Sequence, residues 1–429
     1  MTTRVQTLRS STTQAVPAAG TRSPGELWTN FPDLQMGVID AARNAQKLVA
    51  VRYFSTTANY AAGDCVWQGG KLYLANGPIP AGAFSVNQWT QIASMTDVGA
   101  ISPMNDNKII NGDMRIDQRN NGAAVTPASN PAYVIDRWQL FLTQPSKLTL
   151  ARQTSSLAGF PYCLAVSSAS AYALAAADTF GLQQQIEADM VSDFAFGTAS
   201  AQPVTLSFWA QSSLTGTFSA RLANGAATRS YPFTFSIPVA NTWTKIVVTI
   251  PGDTAAATWV LSGNAAGATI AFDLGSGATY RGTAGAWTNG NIVGVTGSVS
   301  VVTVNGASFS VTGVKLEIGS VATPYNHQSL AKSMADCERY FRWVPFDINF
   351  FAPGGGQNFQ QSISFPSMRA APTLSGITAD PSQTQQSNNN SASIATNART
   401  YGASLYVTAS VGSTNTFCVG YRVSATAEL

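Results

Sequence analysis

VKLEIGSVATPYNHQSLAKSMADCERYFRW, residues 314–343, joins a strand pattern to a helix pattern. Its first five residues alternate apolar and polar, which is typical of a β-strand with one buried face. Gly319 ends the alternation, and Pro324 blocks a regular continuation because it lacks a backbone donor. The apolar residues that follow recur at spacings of four, three and four, on one helical face: Leu330, Met334, Cys337 and Phe341. The stretch therefore predicts a strand that closes one domain and a short helix over 329–341 that leads into the next.

The composition indicates a chain that folds mainly into β structure. Charged residues make up only 10% of the 429, whereas about a quarter is usual, and 36 residues are glycine. Hydrophobic residues reach 45%, which is too apolar for a disordered chain. A weakly charged surface also suits packing against copies of the same chain. The net charge of +3, with no run of four lysines or arginines, argues against nucleic acid as a partner.

The cysteines and the hydrophobic runs bear on metal binding, on secretion and on insertion into a membrane. No CxxC pair occurs, so neither a zinc site nor any other cofactor is expected. The four cysteines are compatible with burial as small apolar residues or with disulfides formed outside a cell: Cys65, Cys163, Cys337 and Cys418. Residues 1–20 hold no apolar run of signal-peptide length, and no run of 18 apolar residues occurs. We therefore expect neither a secretory signal nor insertion into a membrane.

The first 50 residues predict an arm followed by a helix. Residues 1–25 are polar and contain glycine and proline, which is typical of an extended arm. From Asp33 to Val49, apolar and small residues recur at helical spacing: Leu34, Val38, Ala41, Ala42, Ala45 and Leu48. Such a helix either clasps neighbouring subunits and docks them on a larger assembly, or packs on its own domain.

Residues 51–94 predict a small β module rich in aromatic side chains. The pattern Y-x-x-G-D-x-V begins at Tyr60 and is followed by a turn, an LY pair and a later Phe and Trp. This pattern is similar to the short carbohydrate-binding modules of chitinases. The resemblance implies rings that stack on sugars, and the candidates are Trp67, Tyr73 and Trp89. The alternative is that these rings form the core that a domain of about 40 residues needs for stability.

Residues 107–322 predict a β-sandwich. Short runs that alternate apolar and polar residues fill this region, for example PVTLSFWAQSS at 203–213. Asn305-Gly306 lies between two such runs and is a strong hairpin signal. Seven or more short strands separated by turns predict a jelly roll. Residues 181–194 fit either a helix or a strand followed by a loop.

The C-terminal part predicts a further β module, closed by the paired strands ASLYVTAS at 403–410 and FCVGYRVSA at 417–425. A polar, uncharged run at 382–393 is typical of an exposed loop. The predicted architecture is therefore mainly β. Its parts are an arm and helix, a small β module, a jelly-roll sandwich, a linking turn and helix, and a C-terminal β module: 1–50, 51–94, 107–322, 323–343 and 344–429.

Several motifs, in this order along the chain, resemble the tail-fibre and related virion proteins of tailed bacteriophages. They are NGDMRIDQRNNG at 111–122, YVIDRW at 133–138, LSFWAQSS at 206–213, TWTKIVVTIPGDT at 242–254, GAWTNG at 285–290, TGVKLEIGSVATPYNHQS at 312–329, CERY at 337–340 and FPSMRAAPT at 365–373. The resembling region covers the sandwich and both of its flanks. In that family the sandwich is a carbohydrate-binding-like jelly roll, and it also serves as a spacer.

The resemblance implies a virion appendage with a virion-proximal N-terminus and an outward C-terminal module. The implied partners are two further copies in a homotrimer, other virion proteins bound through residues 1–50, and a glycan on the host cell surface. The implied location is the virion, made in the host cytoplasm and released by lysis. Release by lysis fits a chain in which no signal peptide is expected.

The sequence points away from catalysis. The single histidine, His327, follows a proline turn and is expected to be structural, and no nucleophile-elbow, zinc-protease or P-loop motif occurs. Three aspartates precede arginines and predict ion pairs at the surface or between subunits: Asp113, Asp117 and Asp136 with Arg115, Arg119 and Arg137. We expect a protein that is not an enzyme. A polysaccharide depolymerase is the minor alternative, and it would need two carboxylates facing a groove.

Two non-enzymatic functions are compatible with the sequence. A receptor-binding fibre would grip glycan with exposed tryptophans, and the candidates in the sandwich are Trp209, Trp243, Trp259 and Trp287. A purely structural connector, collar or head-fibre decoration protein would bind no ligand, and its aromatic residues would be core. The order of an arm, a spacer and a distal β module favours the receptor-binding fibre.

Overall fold

The computed structural model describes residues 7–10, 27–30, 35–39, 45–48, 51–68, 71–94, 107–255, 259–352, 358–379, 386–387, 390–394, 399–409 and 414–429. The chain forms two compact units, Met1–Pro103 and Met104–Leu429. As predicted, the described residues are mainly β.

The first unit begins with a four-stranded sheet in the order β1-β2-β3-β4. Its strands are β1 (Thr7–Ser10), β2 (Leu27–Asn30), β3 (Gln35–Ile39) and β4 (Ala45–Leu48). The helix predicted from Asp33 to Val49 is therefore wrong, because β3 and β4 pair antiparallel within that range. In QMGVI, Met36 and Val38 also fit a period of two, and the β-branched residues favour a strand. The rest of the predicted arm lies outside the described residues.

A second four-stranded sheet follows in the same unit, in the order β5-β6-β7-β8. Its strands are β5 (Val51–Tyr53), β6 (Cys65–Gln68), β7 (Lys71–Ala75) and β8 (Trp89–Ser94), with a 3-10 turn at Val86–Gln88. The strands enclose a small core made largely of aromatic rings, including Tyr60, Tyr73 and Trp89. A core this small depends on large side chains because so few positions are buried.

The second unit contains a β-sandwich, as the alternating runs predict. Its strands are β9 (Ala132–Ile135), β10 (Trp138–Leu142), β11 (Leu148–Thr154), β12 (Tyr162–Ser168), β13 (Thr179–Glu187), β14 (Val204–Ser212), β15 (Gly216–Asn224), β16 (Arg229–Ile237), β17 (Thr244–Ile250), β18 (Ala266–Ser276), β19 (Arg281–Gly282), β20 (Thr288–Asn289), β21 (Gly294–Val295) and β22 (Ser308–Ile318). One sheet has seven strands in the order β20-β16-β15-β18-β13-β10-β9, and the other has five in the order β11-β12-β22-β14-β17. A short parallel pair, β19 and β21, is separate from both sheets.

The core lies between these two sheets. Alternate side chains of each strand point inward, as in Leu206 and Phe208 of β14 and Phe272 of β18. The rings of Phe208 and Phe272 meet edge to face with centroids 5.0 Å apart. Burying each such side chain stabilises the fold by about 1.5–3 kcal/mol, so this core dominates the stability of the sandwich.

Two regions with helical patterns have different outcomes. Residues 181–194 are not one helix, since Thr179–Glu187 is strand β13 and Ala188–Phe194 forms 3-10 turns. The helix predicted over 329–341 is confirmed as α1 (Leu330–Glu338), capped by Ser329, whose side chain accepts from the backbone of Lys332.

The buried face of α1 is rotated from the predicted one. Leu330 is 59% exposed, whereas Ser333 and Cys337 are buried and Tyr340, just after the helix, is buried too. Ser333 tolerates burial because Arg115 donates to its hydroxyl. Periodicity finds apolar side chains only, so it misses a polar residue whose partner comes from elsewhere in the fold.

Seven strands form the C-terminal β module. They are β23 (Phe341–Ala352), β24 (Asn358–Ser364), β25 (Thr373–Ala379), β26 (Gln386–Ser387), β27 (Asn390–Ile394), β28 (Gly402–Ala409) and β29 (Thr414–Thr426). β29 pairs with β23, β25 and β26, and β28 lies between β24 and β27. ASLYVTAS and FCVGYRVSA are thus both strands, but in different sheets and not paired with each other. No helix among the described residues is long and apolar enough to cross a membrane.

Candidate functional site

The aromatic candidates of the small module are placed mostly in its core. Tyr73 is only 7% exposed and Trp89 only 4%, so neither ring can offer a face to a sugar. Trp89 packs edge to face against Tyr60, with centroids 5.1 Å apart. Trp67 is half-buried on β6. The expectation of exposed rings is wrong for Tyr73 and Trp89, because a unit this small uses them to exclude water from its interior.

Trp209 lies in the five-stranded sheet, and Trp243 lies immediately before its strand β17. Trp209 is half-buried on β14, opposite Thr312 of β22. It packs beside Gly313, where an added Cβ would come within 3.2 Å of the indole. Trp243 is half-buried, and its indole nitrogen has no acceptor among the described residues. The structure does not group either ring with the other tryptophan candidates.

Trp259 and Trp287, by contrast, meet at one edge of the seven-stranded sheet. Their ring centroids are 5.5 Å apart with an interplanar angle of 88°. Tyr231 packs against Trp287 at 5.3 Å, and Phe196 lies behind both tryptophans. Both tryptophans are half-buried, so part of each ring reaches the surface. We call Tyr231, Trp259 and Trp287 the aromatic corner.

The local fold explains why these rings come together. Trp287 directly precedes β20, which pairs with the start of β16 and so carries Trp287 beside Tyr231. Gly290 follows β20 at φ +108°, a conformation that other residues rarely adopt, and it lets the chain turn away at once. The indole nitrogen of Trp287 donates to the carbonyl of Pro251 at 2.8 Å, which restrains the orientation of the ring.

An ion pair lies beside the aromatic corner. Arg229 donates to both carboxylate oxygens of Asp253, at 2.9 Å each, and also to Asn289 at 3.0 Å. The indole nitrogen of Trp259 donates to the same carboxylate at 2.9 Å. Asp253 thus holds Arg229 and Trp259 in fixed positions. Such two-point pairing is stronger and more rigid than a single contact.

The charges of this pair are stable. Burial alone would raise the pKa of Asp253, but the hydrogen bonds from Arg229 and Trp259 outweigh it, so the pKa lies below its usual range. The hydrogen bond to Asp253 raises the pKa of Arg229. Because Asp253 is ionised and accepts from several donors, it is poorly suited to proton transfer. The corner can therefore stack and hydrogen-bond a ligand without chemistry.

The sequence located the two tryptophans of this corner but missed its polar partners. Arg229 and Asp253 are 24 residues apart, Arg229 belongs to no motif, and Asp253 lies near the end of TWTKIVVTIPGDT. Asn289 lies within GAWTNG, two residues after Trp287, and membership of these two motifs was the only available signal for Asp253 and Asn289. Sequence spacing cannot show that β16 carries Arg229 to Asn289, since this depends on strand pairing.

The predicted aspartate–arginine pairs are only partly correct. Asp113 does pair with Arg115 at 2.6 Å, and it also contacts His327 Nδ1 at 2.9 Å. Arg119 and Arg137, however, both pair with Glu428, which the sequence places about 300 residues away. All three aspartates are buried in the chain, not exposed. The fold, and not closeness in sequence, determines which charged residues pair with each other.

Asp117 and Asp136 have structural partners instead. Asp117 accepts from the backbone nitrogens of Asn120 and Gly122 and so closes a turn. Asp136 accepts from the backbone and side-chain nitrogens of Gln118. Burial raises the pKa of Asp136 to about 6. Within the described residues, no group of three or more histidine, cysteine or acidic side chains could hold a metal ion.

Comparison with known proteins gives likeness only among solved structures. No family model and no curated protein matches the chain. The enzymatically active domain of tailspike protein 4 from bacteriophage CBA120 is 16% identical, with a TM-score of 0.26, over 49% of this chain and 21% of that one. A sugar-binding protein from Bacteroides thetaiotaomicron is 13% identical, with a TM-score of 0.29, over 49% of this chain and 99% of that one.

A carbohydrate-binding module of family 11 from Clostridium thermocellum, solved with a mixed-linked tetrasaccharide, is similar as well. It is 12% identical, with a TM-score of 0.25, over 46% of this chain and 97% of that one. The structural neighbours are thus carbohydrate-binding modules and a phage tailspike domain. Likeness at this level assigns no function to the chain.

Proposed function

We propose that the sandwich binds a cell-surface glycan without catalysis, and that the aromatic corner is its binding site. The observation that carries this proposal is the pairing of Trp259 with Trp287, two half-buried rings set at right angles 5.5 Å apart. Both indole nitrogens already donate inside the protein, so the rings offer only apolar surface to a ligand. Sugar rings present flat C–H faces that pack well on such a surface.

The polar groups beside the rings suit the hydroxyls of a sugar. Asn289 is exposed, and its oxygen already accepts from Arg229, which leaves its amide hydrogens for a ligand. The charge of Arg229 is matched by Asp253, so the corner offers hydrogen bonds without a net charge. A single site of this kind binds weakly, and several copies in one assembly supply avidity.

For the whole chain we propose a tail fibre or another appendage of a phage particle. It is a homotrimer in the virion, residues 1–50 attach it to other virion proteins, and the C-terminal module points outward. The ordered motifs from NGDMRIDQRNNG to FPSMRAAPT support this proposal. A depolymerase is less well supported, because Asp253 at the corner is already committed to Arg229 and Trp259.

A structural connector without a ligand is the second candidate. One observation favours it: both tryptophans of the corner also pack on Phe196 and thereby close one end of the sandwich core. On that account the rings would be an end cap, and removing them would affect stability but not binding.

Binding of the labelled full-length protein to host cells separates the two candidates. We expect binding that periodate treatment of the cells abolishes, and a loss of about tenfold or more in affinity for Trp287→Ala, equivalent to about 1.4 kcal/mol. Trp243→Ala is the matched control, because it removes a half-buried tryptophan outside the corner. Equal binding by Trp287→Ala and the control would show that the corner is not the glycan site, and no binding by the folded natural protein would favour the connector.

A further inference from the structure

Two asparagines lie just beyond Trp287 in the chain, and both are exposed. Asn289 ends β20, and Asn291 follows after a single glycine, so their Cα atoms are at most about 7 Å apart. We call Asn289 and Asn291 the asparagine pair. The pair borders the aromatic corner without being part of it.

An arginine holds the side-chain oxygen of each asparagine. Arg229 Nη1 donates to Asn289 Oδ1 at 3.0 Å, and Arg221 Nη1 donates to Asn291 Oδ1. A guanidinium has donors only, so the atom that faces it must be the amide oxygen and not the nitrogen. Neither NH₂ group has an acceptor among the described residues. The asparagine pair therefore presents hydrogen-bond donors to a ligand.

The charge of Arg221 is unmatched. The side chain is only 3% exposed, and its Nε has no partner among the described residues. Its neighbour Asp273 pairs instead with Arg281, at 3.9 Å. Burial lowers the pKa of Arg221 to about 10, and Asp273 partly offsets this, so the side chain is charged at neutral pH. A buried charge without a counter-ion is unfavourable, because it has lost its hydration.

This charge reaches the surface through Asn291. A hydrogen bond from a charged guanidinium polarises the amide that accepts it, which makes the outer NH₂ group a stronger donor. The charge of Arg229, behind Asn289, is already matched by Asp253. Around the asparagine pair one positive charge is therefore left, and it favours an anion over a neutral ligand.

We propose that the aromatic corner and the asparagine pair together take an acidic sugar, which bears one negative charge as a carboxylate or a phosphodiester. This inference rests on the function proposed for the corner and names the class of its ligand. The sugar ring packs on Trp287, and its anionic group accepts from the amides of Asn289 and Asn291. An oxyanion has at least two oxygens, so it can accept from both amides at once.

Equilibrium binding of the full-length protein to immobilised polysaccharides tests this proposal. Polygalacturonate, alginate and hyaluronate supply carboxylates, and phosphomannan supplies phosphodiesters. Their carboxyl-reduced forms and plain mannan are the neutral counterparts. We expect at least one acidic polymer to bind about tenfold or more tightly than its neutral counterpart. Binding to none of them, or equal binding to an acidic polymer and its neutral counterpart, overturns the proposal.

Asn291→Asp is the sharpest variant. The new carboxylate still accepts from Arg221, so the chain keeps this contact, but it offers no donor and cancels the unmatched charge. We expect the affinity for the acidic polymer to fall about tenfold or more, and that for the neutral counterpart to change less than about twofold. Lys245→Gln is the matched control, because it changes the net charge equally at an exposed position on β17. Equal losses in the two variants would show only a general attraction to polyanions and would refute the site.

Trp287→Ala separates this proposal from the function proposed for the corner. If it removes binding to every polymer while Asn291→Asp binds like the natural protein, the corner binds glycan and the assignment of an acidic ligand is refuted. If Asn291→Asp loses the acidic polymer and Trp287→Ala does not, the asparagine pair is the anion site and the function proposed for the corner fails.

Discussion

Two groups of aromatic rings, one in each unit of the chain, differ in how deeply they are buried. In the small module Tyr60, Tyr73 and Trp89 close on one another and are buried. In the sandwich Trp259 and Trp287 pack against the edge of a large core made by many other side chains, and both are only half-buried. The size of the surrounding core accounts for the difference, because a small unit has few other large side chains to exclude water.

The largest expected effect is in the small module. Trp89→Ala should destabilise it by about 3–5 kcal/mol, since a buried tryptophan is lost and the core has few other large side chains. Trp89→Phe should cost far less, because the indole nitrogen is buried without an acceptor among the described residues and its removal relieves an unpaired donor. Hydrogen exchange of residues 51–94 in the full chain measures both. Similar losses of protection in the two variants would contradict this account of the core.

A smaller effect is expected at the corner. Trp287→Ala should lower the free energy of unfolding by about 1–2 kcal/mol, because the ring is half-buried and the sandwich core persists without it. Thermal unfolding of the full chain, with Trp89→Ala measured alongside, provides the comparison. A loss as large as that of Trp89→Ala would show that the corner is part of the core, and the distinction between the two regions would fail.

The smallest effect concerns pH. The folded-state pKa of Asp253 lies below its ordinary value, so its ion pair contributes stability that is present above about pH 4 and is lost as pH falls through the folded pKa. Between pH 5 and 8 the corner should keep the same charges. We expect the stability difference between the natural protein and Asp253→Asn to be constant in that range and to shrink in acid. A difference that changes between pH 6 and 7 would contradict the assignment.

The sequence predicts the regular parts of this protein well and the contacts between distant parts poorly. The sandwich and α1 are correct because alternation and a four-three-four spacing are local signals. The helix predicted at 33–49 is wrong because two short strands can mimic helical spacing when small residues dominate. A short periodic run therefore does not by itself distinguish a helix from strands, because the distinction depends on the segments with which the run pairs.

The candidate sites show the same limit. Trp259 and Trp287 were recognisable as aromatic candidates, whereas Arg229 and Asp253 became neighbours only through the turns between β16 and β18. Other polar pairs follow the same rule: Gln139 and Gln183 lie on different strands, and only the register of β10 with β13 sets them side by side. The role of a polar side chain depends on the residue opposite it in the sheet, and a single sequence does not show which residue that is.

The most direct test of the central claim is a fluorine NMR titration of the full-length protein labelled with fluorotryptophan. The ligand is polysaccharide purified from host cells, with a periodate-treated sample as control. The account predicts that the signals of Trp259 and Trp287, assigned by substitution, shift during the titration while that of Trp89 stays in place. Unchanged signals from both corner tryptophans, in material that binds the same cells, would show that the aromatic corner is not the glycan site.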